Sequence, residues 1–226
     1  MERERWPLLY RVVRETAKDF RPKYVHQQPW VLVAVLLGAA LHDRPVAWAC
    51  QRRHWSTTTR RPLELPSPAT LRRRVDGIAV GLFGKAWEQR LRDQGTPALL
   101  AFVDGKPLPP IGNGKDPDAC FGRGAGCGAN GYKLHAIWSM RPGPEAWAIT
   151  PRNGNEKAVA QELIGQLTYG GSRLGDGNYD ASYAYEAAFA RGYPLVTPFR
   201  KGAKPGSSKH DQSPLRLRSI ALMRRE

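Results

Sequence analysis

The chain has 226 residues, of which 41% are apolar and 24% charged, and its mean hydropathy is −0.51. This length and composition are typical of one folded domain with a smaller additional region, and they exclude a disordered or collagen-like chain. The longest apolar run, residues 30–41, is shorter than the roughly 20 residues of a membrane-spanning helix, and no signal peptide opens the sequence, so we expect no membrane insertion.

Charge gives the first indication of a partner. The chain carries 35 Lys and Arg against 20 Asp and Glu, a net charge of +15, and its isoelectric point is near 10.2. A charge this positive favours a polyanionic partner, and nucleic acid is the expected one, although a generally basic, solvated surface is the alternative interpretation. Three scattered cysteines are too few for a disulfide framework, which predicts a reducing, cytoplasmic environment.

The positive charge is concentrated toward the two ends of the chain. Residues 1–97 hold 18 basic and 9 acidic side chains, residues 98–200 hold 10 and 9, and residues 201–226 hold 7 and 2. The sequence pattern also changes near residue 95, from helical to strand-like. We therefore predict a helical, basic, DNA-binding region over residues 1–95 and an α/β domain over residues 96–226.

Residues 1–95 predict a series of helices. Apolar patterns favour helices over 6–20, 30–41 and 46–55, and a polar stretch over 56–66 is typical of a loop. Ser67 and Pro68 form the usual start of a helix, whose apolar side is predicted to carry Leu71, Val75, Ile78 and Leu82. Arg72, Arg73 and Arg74 fall largely off that side, which fits either a helix-turn-helix-like reader of DNA or a solvated basic face.

Residues 96–226 predict a mixed sheet with flanking helices. Strands are expected over 99–103, 132–140, 146–150, 174–176 and 193–197. Helices are expected after the capping residue Asn155 and, capped by Asp180, up to Arg191. Residues 200–214 are typical of a mobile basic loop, and residues 215–226 of a last strand or helix. This order indicates an α/β fold whose sheet has antiparallel and parallel parts.

A glycine-rich stretch lies between Gly122 and Gly131. It does not match a phosphate-binding loop, because no helix start and no Gly-Lys-Ser or Gly-Lys-Thr ending follows. Cys120 and Cys127 flank part of this stretch but lack a second ligand pair at zinc-finger spacing. We expect a loop with free thiols here.

Two aspartates follow predicted strands. Asp104 comes after the first apolar strand and Asp176 after the fourth, where glycines on both sides allow a close approach. If these strands are neighbours, the two carboxylates converge at one edge of the sheet, within reach of one divalent cation. Oxygen ligands favour Mg²⁺ or Mn²⁺, which suit phosphoryl transfer. Each aspartate alone is also a common turn residue.

Four motifs stand in a familiar order and spacing: Phe-Val-Asp-Gly at 102–105, Gly-Tyr-Lys-Leu-His at 131–135, Thr-Pro-Arg-Asn-Gly-Asn at 150–155 and Leu-Gly-Asp-Gly-Asn-Tyr-Asp at 174–180. Over about residues 67–220 the sequence resembles the DDE transposases of bacterial insertion sequences, in their IS-four-like branch. The resemblance implies a ribonuclease-H-like fold, two Mg²⁺ or Mn²⁺ ions, and cleavage and strand transfer of double-stranded DNA. Asp104 and Asp176 match the first and second acids of the family, which implies that both are catalytic residues and metal ligands.

The third acid of that family is a glutamate on a helix after the last core strand, within a Tyr, Arg, Glu and Lys pattern. This sequence lacks the pattern, and only Glu226 follows the fifth predicted strand. We therefore expect a chain truncated at its C-terminal side, with the third carboxylate beyond residue 226. Two of three carboxylates hold a metal less firmly and leave the geometry of in-line attack incomplete.

Further candidate DNA contacts follow from side-chain chemistry. Lys133 and His135 alternate along one strand and so share a face. On that face they either contact a DNA phosphate or are simply an exposed pair at the edge of the sheet. Lys201 and Lys204 stand where a DNA-clamping loop is useful, and an unstructured basic tail explains them equally well. The resemblance also implies a homodimer on paired DNA ends and association with the bacterial nucleoid.

Three functions compete at this level. The leading prediction is a transposase. A truncated, catalytically inactive transposase that only binds DNA or traps partners uses the same residues without cutting. A general metal-dependent nuclease shares the fold and the carboxylates but does not need a basic helical N-terminal region.

Overall fold

The computed structural model describes residues 2–20, 22, 27–60, 62–95, 99–108, 116–124, 127–168, 170–199 and 213–223. Contacts between residues divide the chain into two compact units, Met1–Gln94 and Gly95–Glu226. Each unit has a hydrophobic core of its own. No helix among the described residues is long and apolar enough to span a membrane.

The first unit is built from helices, which are α1 (Glu2–Asp19), α2 (Pro29–Leu41), α3 (Val46–Ala49), α4 (Thr57–Arg60), α5 (Pro68–Arg74) and α6 (Ile78–Arg92), with a 3₁₀ turn at Arg52–His54. Helix α2 is apolar on all sides and is buried between α1 and α6, which is the expected position for such a helix. Trp55 packs against Gly38 of α2, and its indole nitrogen donates a hydrogen bond to the carbonyl of Ala49. The first unit is therefore packed around α2.

The predicted continuous helix after Ser67 is wrong, because the chain breaks at Gly77. Helix α5 ends at Arg74, Gly77 is extended, and α6 begins at Ile78. The buried side of α6 carries Val80 and Phe83, whereas Ile78 is 84% exposed. The predicted loop over 56–66 also contains a helical turn, α4, and the predicted helix over 46–55 is α3 followed by the 3₁₀ turn.

The start of α5 agrees with the prediction. The hydroxyl of Ser67 accepts a hydrogen bond of 3.1 Å from the amide of Thr70, and Pro68 occupies the first helical position. Arg72, Arg73 and Arg74 are exposed on this short helix.

Two glycines in helices of this unit predict opposite effects of the same substitution. A Cβ at Gly38 lies 2.5 Å from Cη2 of Trp55, so Gly38→Ala forces the indole to move and is expected to lower the free energy of unfolding by about 1–3 kcal/mol. Gly81 in α6 has nothing within 4 Å, so Gly81→Ala is expected to raise that free energy by about 0.5–1 kcal/mol through helix propensity. Urea unfolding followed by tryptophan fluorescence measures both variants. Equal effects of the two substitutions contradict the packing argument.

The second unit is an α/β layer. Its strands are β1 (Leu100–Leu108), β2 (Cys120–Gly124), β3 (Cys127–Trp138), β4 (Ala146–Pro151), β5 (Ser172–Gly175) and β6 (Leu195–Val196), and its helices are α7 (Glu156–Gly165), α8 (Ser182–Ala190) and α9 (Pro214–Met223). The strand order is β2-β3-β1-β5-β6, and β4 pairs with β3. The β1–β3, β2–β3 and β3–β4 pairs are antiparallel, whereas β1–β5 and β5–β6 are parallel. The predicted mixed α/β architecture is therefore confirmed.

The two faces of this sheet differ. The inner face, which carries Val103, Ile137 and Ala146, is buried in the core to which α7 and α8 contribute. The outer face carries large apolar side chains that are between 40% and 53% exposed, namely Leu100, Phe102, Trp138, Trp147 and Ile149. Asp104 follows Phe102 on this outer face, since side chains alternate along a strand.

Several predicted element bounds differ from the structure. Strand β1 continues to Leu108, because its second half pairs with β3. The glycine-rich stretch is not a loop, since β2 and the first part of β3 pair there as an antiparallel ladder from Cys120 opposite Gly131 to Gly124 opposite Cys127. The end of the described chain is a helix, α9, and β6 has two residues.

The prediction that Asp180 caps α8 is wrong, because its carboxylate instead connects α9 to the segment before α8. Its carboxylate accepts two hydrogen bonds of 2.6 Å from the guanidinium of Arg216 on α9 and one of 3.1 Å from the hydroxyl of Tyr185. That hydroxyl also lies 2.6 Å from the hydroxyl of Thr197, whose amide and carbonyl both bond Ser219 of α9. The residue before α8 is Ala181, which offers no side-chain cap.

Replacing Arg216 removes the guanidinium with which the buried Asp180 carboxylate forms an ion pair. Arg216→Ala should lower the free energy of unfolding by about 3–5 kcal/mol, as the loss of one member of a buried ion pair does. Arg218→Ala is the matched control, because this exposed arginine of α9 does not touch Asp180 in the described structure. A loss as small as that of the control, measured by urea unfolding, contradicts a structural role for the pair.

Candidate active site

Asp104 and Asp176 come together where β1 and β5 stop pairing. The parallel register runs from Leu100 opposite Ser172 to Val103 opposite Gly175, and the two aspartates are the next residue of each strand. Neighbouring strands lie about 4.8 Å apart, so the two main chains are adjacent at this point. The structure thus brings the two predicted acids together, although β1 itself continues past Asp104.

Both carboxylates are exposed and held by local hydrogen bonds. An oxygen of Asp104 accepts a bond of 2.7 Å from the amide of Gly105. The two oxygens of Asp176 accept bonds of 2.9 and 3.1 Å from the main-chain amide and the side-chain amide of Asn178. These bonds fix the orientation of each carboxylate while leaving it accessible to solvent.

Tyr179 packs on the inner side of the same junction and is 1% exposed. Its hydroxyl has no hydrogen-bond partner among the described residues. Burial raises the pKa of Tyr179 well above its usual value, and the nearby carboxylates of Glu156, Asp104 and Asp176 raise this pKa further. Three carboxylates therefore act on one buried phenol.

Lys133 and His135 lie on β3 and share a face, as predicted, but that face is the inner one. The ammonium of Lys133 donates to Glu156 at 2.5 Å, and the ring of His135 lies 3.0 Å from the hydroxyl of Thr150. His135 is 1% exposed and Lys133 7%, so the pair is not at an exposed edge. Strand β3 is interior, with β1 on one side and β4 on the other. His135 therefore presents no surface to DNA.

The remaining predicted DNA contacts lie elsewhere. Arg72, Arg73 and Arg74 belong to the first unit and are exposed on α5. Lys201 and Lys204 lie outside the described residues. Contact of these arginines and lysines with DNA stays a prediction.

A cleft that sequence reasoning missed includes Asn178, the hydrogen-bond partner of Asp176, in its lining. It has a volume of about 310 Å³ and lies between β2, the loop before α7, the first turn of α7 and the 3₁₀ turn at Gly177–Tyr179. Its charged and polar lining includes Arg123, Lys133, Arg152, Glu156, Lys157 and Asn178. We call it the Arg123 cleft. Arg123 stands among glycines and the other lining residues come from different elements, so no periodic pattern in the sequence indicated this cleft.

The two carboxylates fit a divalent cation by donor type. Mg²⁺ prefers oxygen ligands and commonly binds to one or two carboxylates together with water and substrate phosphate oxygens. Among the described residues, no group of three or more His, Cys, Asp or Glu side chains is arranged to hold a metal ion. A metal-binding role of Asp104 and Asp176 therefore stays a prediction.

No protein-family model and no curated protein matches this sequence. Among solved structures, the chain is similar to the protein of a cryo-EM structure of a piggyBac transposase synaptic complex with hairpin DNA, with a TM-score of 0.45 and 11% sequence identity. The similarity covers 92% of this chain and 54% of the other, so the chain spans about half the length of that protein.

Burial of His135 predicts a pH-dependent stability. Burial, and to a smaller extent the charge of Lys133, lowers the pKa of His135 below its ordinary 6.5, although Glu156 opposes this. The unfolded chain then binds this proton at a higher pH than the folded chain, so stability is full above about pH 6.5 and is lost as the pH falls below it. Urea unfolding at about pH 7.5 and 5.5 should show a smaller loss in His135→Gln than in the parent. An identical loss contradicts the prediction.

Proposed function

We propose that this chain is a transposase that binds double-stranded DNA and cleaves and transfers its strands by metal-dependent phosphoryl transfer. The observation that carries the proposal is the pair of exposed carboxylates, Asp104 and Asp176, on neighbouring parallel strands in register. The four motifs that resemble the DDE transposases of bacterial insertion sequences contain both acids. We further propose the ribonuclease-H-like arrangement of that family for residues 96–226.

Asp104 and Asp176 would hold Mg²⁺ or Mn²⁺. Such an ion, when bound, activates a water or hydroxyl nucleophile and neutralises the charge that develops on the reacting phosphate. The chain's own groups prepare the site: the amide of Gly105 orients the carboxylate of Asp104, and Asn178 orients that of Asp176 through both of its nitrogens. Outer hydrogen bonds of this kind position metal ligands.

The basic surface would supply the DNA affinity. The net charge of +15 favours the phosphate backbone, and the exposed Arg72, Arg73 and Arg74 present three guanidinium groups on one short helix. In this proposal the first unit positions DNA and the second unit carries the chemistry. The family resemblance adds a homodimer on paired DNA ends to the proposal.

A second function, DNA binding without cleavage, has an observation in its favour. The described residues hold no group of three or more His, Cys, Asp or Glu side chains arranged to bind a metal ion, and the nearby carboxylate of Glu156 is paired with Lys133. A cation held by two protein ligands depends more on the DNA phosphate for its remaining contacts. Cleavage and binding must therefore be measured separately.

The test uses a DNA duplex that carries a terminal-repeat end in the presence of Mg²⁺ or Mn²⁺. The parent is expected to nick or cut it, and Asp104→Asn and Asp176→Asn should each lower the rate by at least about 100-fold, more than the roughly 10–100-fold that loss of an outer partner costs. DNA affinity, measured by fluorescence anisotropy in EDTA, should change little in both variants.

Asp118→Asn is the matched control, because this exposed aspartate of the same unit is not part of the candidate site. Metal-independent cleavage, or cleavage that survives both Asp104→Asn and Asp176→Asn, contradicts the proposal. Binding without cleavage in the parent favours the non-catalytic function, and cleavage without preference for element ends favours a general nuclease.

A further inference from the structure

The Arg123 cleft is strongly cationic for its size. Arg123, Lys133, Arg152 and Lys157 line it, whereas Glu156 is its one carboxylate among the described residues. Arg123 is exposed and makes no hydrogen bond or ion pair with the described part of the chain, so its guanidinium is available to a ligand. Clustered cations without equal negative charge attract a polyanion.

The shape of the cleft depends on close backbone packing. A Cβ at Gly122 lies 2.5 Å from the carbonyl oxygen of Arg152, so only glycine allows β2 to approach the loop before α7 this closely. That loop continues into α7, where the side chain of Asn155 accepts a bond of 3.1 Å from the amide of Lys157. The main chain that carries these cationic side chains is thus held in a fixed position.

The cleft is linked to the candidate active site through Asn178. Asn178 lines the cleft and also donates both of its hydrogen bonds to Asp176. On the other side, Lys133 and Glu156 lie at 3.4 and 3.5 Å from the position that a Cβ on Gly105 would take, and Gly105 follows Asp104. The cleft therefore adjoins the β1–β5 junction at which both acids stand.

A buried polar group points to the same place. The hydroxyl of Tyr179 lies 3.4 Å from that Cβ position of Gly105, beside Lys133 and Glu156, and it has no hydrogen-bond partner among the described residues. A buried hydroxyl without a partner is unfavourable, and an oxygen atom of an ordered water or of a ligand phosphate can accept its hydrogen bond.

We propose that the Arg123 cleft binds the phosphodiester backbone of the DNA strand that is cut, at a phosphate next to the reacting one. Arg123 contacts that phosphate at the mouth of the cleft, and Lys133, Arg152 and Lys157 provide the positive field around it. Glu156 holds Lys133 and moderates this field. The inference rests on the proposed function and adds to it the site that fixes the position of the strand.

The experiment measures the affinity of the full chain for the terminal-repeat duplex in EDTA, as a function of salt. Arg123→Ala is expected to weaken binding roughly 3- to 10-fold near 0.1 M salt and to reduce the salt slope by about 1, as the loss of one phosphate contact does. Arg123→Lys keeps the charge and should stay within about twofold of the parent. Glu156→Gln removes the negative charge of the cleft and should tighten binding.

Arg191→Ala is the matched control, because this exposed arginine lies after α8 and outside the cleft. Equal losses in Arg123→Ala and Arg191→Ala, or no change in Arg123→Ala, overturn the inference. So does a parent that binds no duplex. Circular dichroism and urea unfolding establish that each variant is folded before its affinity is compared.

Two readouts separate this inference from the proposed function. If Asp104→Asn abolishes cleavage and Arg123→Ala changes neither affinity nor salt slope, the function stands and the cleft proposal fails. If binding depends on Arg123 but the parent never cleaves, the cleft proposal stands and the catalytic one fails.

As a direct readout of location, the duplex should shift the NMR amide signals of Asn155, Lys157 and Asn178, and unshifted signals contradict the inference.

Discussion

The parallel pairing of β1 with β5 is the interaction on which the second unit and its candidate site depend. It sets Val103 opposite Gly175, so that Asp104 and Asp176 follow at adjacent positions. Gly175 is required for this approach, because a Cβ there lies 2.9 Å from Val103 and 3.2 Å from the ring of Tyr179. The missing side chain lets Tyr179 lie against the junction from the inner side, while the aspartates leave it toward solvent. One tight junction therefore holds a buried phenol and two exposed acids in a fixed relation.

Charge organisation around that junction follows from burial. Lys133 lies on the inner face of β3 and is almost fully buried, and a buried ammonium requires a partner, which Glu156 provides from the first turn of α7. The same ion pair forms one wall of the Arg123 cleft. Farther along, Asp180 uses its carboxylate to hold Arg216 of α9. Glu156 and Asp180 thus hold cations in the interior, whereas Asp104 and Asp176 at the junction remain accessible.

Much of the element order could be predicted from the sequence, because local signals were strong. The capping residues Ser67 and Asn155 marked two helix starts correctly, and the apolar runs around Val103 and Leu174 marked two strands. Errors arose where local signals misled. Gly77 breaks a helix whose apolar spacing continues across it, and the glycines between Cys120 and Gly131 gave no strand signal although an antiparallel ladder forms there. The position of Asp180 predicted a helix cap, but its carboxylate instead accepts hydrogen bonds from an arginine that is distant in the sequence.

The sequence by itself determined the class of fold, the excess positive charge and the identity of the two candidate acids, since each of these depends on residue type and near-neighbour spacing. Only the tertiary structure decided that strands 72 residues apart pair in register, that Lys133 and His135 point inward, and that Arg123 faces the first turn of α7. Alternation along a strand shows which side chains share a face but not which face is covered. Packing against α7 and α8 decides which face is covered, because the larger apolar contact lies on the side where these helices pack.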